Sequence, residues 1–144
     1  MLAVPRDAVS HAERIESHLL QSGLRYEPVG DDTWIVYPET AVATPIAVKL
    51  QDPIVLLSVP VFDVTEGTAD REGLFRRLLE LNAALLHSSY GLEGNRVVLS
   101  AAHPVETLDA PELQAILDDM TMALDQHVPT LAAFSAGSDT DRQP

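Results

Sequence analysis

No cysteine occurs anywhere in the chain, which excludes disulfides, thiolate nucleophiles and cysteine–zinc sites. Basic residues are nearly as scarce: nine Lys and Arg stand against 22 Asp and Glu, and Lys49 is the only lysine. A formal net charge of −13 repels phosphate backbones, because non-specific nucleic-acid affinity comes from basic groups that displace counterions. Direct DNA or RNA binding is therefore not expected. A basic partner protein would be attracted, although the same charge also serves solubility. No apolar run approaches the roughly 18 residues that a membrane span needs. The N-terminus, Met-Leu-Ala-Val-Pro-Arg-Asp-Ala, lacks the basic region and apolar stretch of a signal peptide. A cytoplasmic protein is expected.

Chemical motifs are missing too. There is no Gly-x-Ser-x-Gly elbow, no His-Glu-x-x-His, no acidic calcium loop and no glycine-rich phosphate loop. The five histidines, at 11, 18, 87, 103 and 127, do not cluster as metal ligands. His11 and His18 share a helical face but are two turns apart, too far to share one ion easily. No Asp/Glu pair is singled out by spacing for acid–base work. The expectation is a non-enzyme with no catalytic, cofactor-binding or metal-binding residue and no cofactor.

What is present is a strong pattern of elements. At 144 residues the chain fits one domain, expected over residues 7–134, with a flexible arm at 1–6 and a disordered tail at 135–144. Asp7 is a candidate N-cap for a helix reaching about Ser22, where Gly23 supplies a left-handed stop. Residues 24–29, 33–37, 46–50 and 54–59 read as four strands separated by turn signals. The fourth is apolar almost throughout, which suggests a central strand covered on both faces, and Pro60 limits its pairing unless the strand lies at an edge or bulges there.

The stretch at 70–86 is the organising helix. Leu74, Leu78, Leu81 and Leu85 repeat at helical spacing, with Phe75, Leu79, Asn82 and Leu86 as a second row. Two adjacent rows exceed the usual stripe of roughly 100°. Such a helix wants cover on two sides, a sheet on one and a second subunit on the other, so Leu74, Leu78, Leu81 and Leu85 are the expected dimer interface. Asn82, set among leucines, is expected to bond a neighbouring backbone.

Residues 88–92 and 96–101 form a hairpin about Glu93-Gly94-Asn95. A last helix starts at Asp109-x-x-Glu112 and carries the most regular apolar row: Leu113, Ile116, Leu117, Met120, Leu124, His127, Val128 and Leu131. Pro129 should kink or end it. Six acids and no base lie between Glu106 and Asp125, which makes Glu112, Asp118, Asp119 and Asp125 candidates for binding a basic partner. The order α-β-β-β-β-α-β-β-α describes an α+β fold, an antiparallel sheet with three helices.

The strings Leu-Leu-Glu-Leu-Asn-Ala-Ala-Leu-Leu (78–86), Tyr-Gly-Leu-Glu-Gly-Asn-Arg-Val-Val-Leu (90–99) and Thr-Leu-Asp-Ala-Pro-Glu-Leu (107–113), within a pattern spanning about 8–131, resemble the YbjN domain and the related type III secretion chaperone-like (Tir-chaperone) superfamily. The resemblance implies small acidic α+β proteins that form homodimers and bind other proteins without catalysis. In the secretion chaperones it further implies extended partner segments that wrap the dimer and bury apolar side chains in surface grooves. The expected function is a homodimeric, chaperone-like or regulatory protein-binding module whose partner is basic, such as a DNA-handling protein. The alternative is a small-molecule-binding or enzymatic domain with a pocket between sheet and helices.

Overall fold

The computed structural model describes residues 9–39 and 44–135. The expected arm at 1–6, the Asp7 cap and all but the first residue of the expected tail lie outside them. Helix α1 is His11–Ser22, capped by Ser10. The Ser10 hydroxyl accepts from the Glu13 N–H while the Glu13 side chain accepts from the Ser10 N–H, a reciprocal box that satisfies two helix-end donors. Gly23 closes the helix at φ 77°, a left-handed position that costs glycine no Cβ clash.

Four strands follow: β1 (Arg25–Gly30), β2 (Thr33–Tyr37), β3 (Ile46–Gln51) and β4 (Ile54–Asp63). Helix α2 (Arg71–Asn82) leads to β5 (Ser89–Glu93) and β6 (Arg96–Pro104). A 3-10 turn at Val105–Thr107 then introduces α3 (Ala110–Ser135). All strand pairs are antiparallel, in the spatial order β1-β2-β3-β4-β6-β5, so β1 and β5 are the edges. The expected α+β class and the order α-β-β-β-β-α-β-β-α hold.

Register explains the core. Trp34, Val48, Leu57 and Ala101 lie side by side across four strands, and all are buried. Val59, Leu99 and Tyr90 form a second buried row. Against this face lie Ile15 and Leu19 of α1 and Leu113, Ile116, Leu117, Met120 and Leu124 of α3, in one continuous cluster. The alternate rows, such as Ile35, Ala47, Ser58 and Ser100, stay partly accessible. β4 is therefore central but not covered on both faces, as its apolar run suggested. It alternates between half-buried and buried positions from Ile54 to Val59.

Two prolines interrupt less than their chemistry suggests. β4 runs past Pro60 because the register shifts between Pro60 and Phe62, a bulge that accommodates the missing donor. α3 continues through Pro129 to Ser135 instead of stopping. Leu131 beyond the proline is fully buried, Phe134 packs on the core, and the Phe134 carbonyl accepts from the Ala69 N–H at 2.9 Å. That packing outweighs one lost helical donor.

Candidate protein-interaction site

Helix α2 is shorter than its leucine pattern, ending at Asn82 rather than 86. Its N-cap, Asp70, accepts from the Gly73 N–H at 3.0 Å. Leu74, Leu78 and Leu81 point into the chain's own core and are buried, and Leu85 packs half-buried beside them. The row read as a dimer interface is thus occupied by intramolecular packing. The neighbouring row is divided: Phe75 packs half-buried on the core and Asn82 is half-buried, whereas Leu79 is 70% exposed and Leu86 is 85% exposed.

Leu79 and Leu92, which is 49% exposed, flank an apolar groove of about 180 Å³ between α2 and the edge strand β5. Phe75, Leu78, Asn82 and Tyr90 line the rest of it with Gly91. Asn82 does not offer its amide to a ligand. Its Nδ2 donates to the Tyr90 carbonyl at 3.1 Å, and its Oδ1 accepts from the Tyr90 N–H at 2.7 Å. One side chain thereby imitates a neighbouring strand at the sheet edge, as expected of an amide set among leucines.

Tyr90 also ties β5 to α3. Its hydroxyl lies 2.9 Å from His127 Nδ1, and the rings meet at 48° with centroids 5.8 Å apart. Burial raises the Tyr90 pKa, so the hydroxyl stays protonated. Burial is also the main cause that lowers the His127 pKa; Arg77 lowers it further, and Asp119 opposes both. The neutral imidazole can accept from the tyrosine hydroxyl.

A second groove, of about 330 Å³, lies between the α2–β5 link and α3, lined by Leu86, His87, Ala115, Asp118, Asp119 and Met122. Asp119, a candidate contact for a basic partner, is instead buried at 6% exposure. Its Oδ2 accepts from the N–H groups of His87 and Ser88 at 3.1 Å each and from Ser88 Oγ at 2.8 Å. Its Oδ1 lies 3.5 Å from the Leu86 N–H. Of the other acids proposed for a partner, Asp118 and Asp125 are exposed, and seven residues apart they share a helical face. Asp118 accepts from Gln114 at 2.9 Å. Glu112 sits in the first turn of α3, 3.8 Å from His103.

Among the described residues no three His, Asp or Glu converge to hold a metal ion. No helix among them is long and apolar enough to cross a membrane. His11 binds Asp52 at 2.9 Å, and His18 Nε2 lies 3.1 Å from the Leu108 carbonyl, so each serves the fold.

No curated protein matches the sequence. Solved structures do. The ExoU–SpcU complex from the type III secretion system of Pseudomonas aeruginosa contains a chain that is 23% identical, with a TM-score of 0.64, over 80% of this chain and 95% of that one. YbjN from E. coli is 14% identical, with a TM-score of 0.55, over 90% and 94%. A chain of the HopA1–SchA chaperone–effector complex is 12% identical, with a TM-score of 0.53, over 84% and 89%. At these identities the likeness establishes the fold. The CesT_Tir_1 family model matches residues 8–137 of the 144, and the protein therefore belongs to that family, the type III secretion chaperones.

Proposed function

We propose that this protein is a non-enzymatic, chaperone-like module that works as a homodimer and holds a partner protein. Family membership and fold neighbours from chaperone–effector complexes support the partner. The observation that carries the reading is two pairs of exposed apolar side chains, Leu79 with Leu92 at the groove between α2 and β5, and Leu86 with Met122 at the groove between the α2–β5 link and α3. Apolar surface gathered in this way marks a protein contact.

A second copy is the occupant we assign to this face. Arg76 and Arg77 lie beside the leucines, with Glu80 close to both and Asp118 lining the second groove, so both signs are present. The repulsion expected between two chains of −13 is locally relieved there. The partner protein would then use the acidic surface of α3, with Asp118 and Asp125 as its candidate contacts and Glu112 at its start. Its complement is a basic or amphipathic segment, and a cytoplasmic setting suits it. The groove gives little support to a small-molecule site, because the one amide in its lining is already bonded to Tyr90.

The experiment is affinity purification from the native organism, with partners identified by mass spectrometry and the complex mass measured by light scattering. One recurring partner on a dimer is expected. The Leu79→Asp/Leu92→Asp pair should give a folded monomer, whereas Leu78→Asp, aimed into the core, should unfold the chain. A wild-type monomer that captures only background would overturn the reading.

A further inference from the structure

We propose that Asp119 is the positioning residue of the association surface, holding Leu86 outward by clamping the backbone beneath it. The inference rests on the reading that this face takes a second copy of the chain.

Residues 83–85 finish α2 with amides that bond back to the carbonyls of Glu80, Leu81 and Asn82. The next three amides, those of Leu86, His87 and Ser88, all turn to one carboxylate on another helix, Asp119 of α3. The Ser88 hydroxyl adds the shortest of the four contacts at 2.8 Å. Three consecutive donors on one anion fix the path of the backbone over those residues.

A leucine on a short link would otherwise fold against the nearest apolar surface, since burying it removes area from water. Here the surface is at hand, in Ala115 and Met122 of the same groove. Leu86 nevertheless stays 85% exposed. The backbone before it is committed to Asn82, through the Leu85 amide, and the backbone from Leu86 onward is committed to Asp119. A buried carboxylate thus holds a leucine in water. This arrangement makes sense if the leucine has a partner elsewhere.

The test is a double-mutant cycle between Asp119→Ala and Leu86→Ala on the full chain, with the dimer dissociation constant measured by sedimentation and folding by circular dichroism. Each single change should weaken dimerisation by about tenfold, and the double change should be little worse than either, because both remove the same contact. Asp119→Asn keeps a carbonyl oxygen for the amides of His87 and Ser88, and it should restore dimerisation to within about threefold of wild type. A carboxylate that only stabilises the fold would lower the melting temperature yet leave the dissociation constant unchanged. That result, or simple additivity of the two changes, would overturn the proposal. If Asp119→Ala fails to fold, Ser88→Ala, which deletes only the hydroxyl contact, replaces it in the same cycle, and non-additivity or additivity with Leu86→Ala supports or overturns the proposal as before. A monomeric wild type would instead remove the dimer reading, and the proposal with it.

Discussion

At the scale of single residues, two polar side chains, Asn82 and Asp119, hold the backbone of the α2–β5 corner. Asn82 satisfies both Tyr90 main-chain groups at the edge of the sheet. Asn82→Ala should cost about 1–3 kcal/mol, the range for a partly buried pair left without a partner, and speed hydrogen exchange at the Tyr90 amide. Asn82→Asp should be no better than alanine, because it keeps the acceptor but sets a carboxylate against the Tyr90 carbonyl. Denaturant unfolding with amide exchange checks both. His127 makes a second prediction, with a definite sign. Its folded pKa lies below the ordinary 6.5, chiefly through burial and then Arg77, so the unfolded chain binds more protons as pH falls. Stability should therefore be fully present above about pH 7 and decline as pH drops through about 6.5 towards the lower folded value. Urea melts at about pH 7 and about pH 5, compared with those of His127→Gln, should show a smaller pH difference in the variant.

At the scale of elements, helix α3 offers the clearest test of packing against local preference. Proline in an exposed helix interior is about 3 kcal/mol worse than alanine. Pro129 is exposed, while Leu131 just beyond it is fully buried and Phe134 packs on the core. Pro129→Ala should therefore stabilise the protein by about 1–3 kcal/mol, read as a higher melting temperature, while Leu131→Ala should cost about 2–4 kcal/mol. The same contrast shows what the sequence makes legible. Every helix and strand is readable from periodicity and turn residues, and a bulge at Pro60 is one of the ways such a strand can continue. The extent of α3 is not readable, because it depends on Leu131 and Phe134 reaching a core that a local window does not contain. Likewise the leucine row of α2 reads as a buried face, but nothing local distinguishes the chain's own core from a partner's. Asp119 does carry a readable signal: it lies three residues after buried Ile116 and four before buried Ala123, on the inward side of the helix. Its partners are main-chain amides more than thirty residues away, which no side-chain motif encodes.

At the scale of the whole molecule, charge and apolar surface make opposite demands on association. Two copies carrying −13 each repel at long range, and the proposed dimer would overcome this with the leucines at α2 and β5. The basic partner proposed above would be drawn in by the same charge. Added salt separates the two contacts, because it screens charges over a Debye length of roughly 10 Å at 0.1 M while leaving apolar burial intact. Between roughly 0.05 and 0.5 M NaCl the dimer should hold or tighten, as repulsion between the copies is screened. Over the same range the affinity for the partner should fall, and its association rate should fall more steeply than its dissociation rate rises, as expected of electrostatic steering. Sedimentation of the chain alone and surface binding of the captured partner measure the two responses separately. A dimer that comes apart on adding salt would place its contact among charged residues instead of the leucines. Partner binding indifferent to salt would move that contact from the acidic face of α3 to an apolar groove.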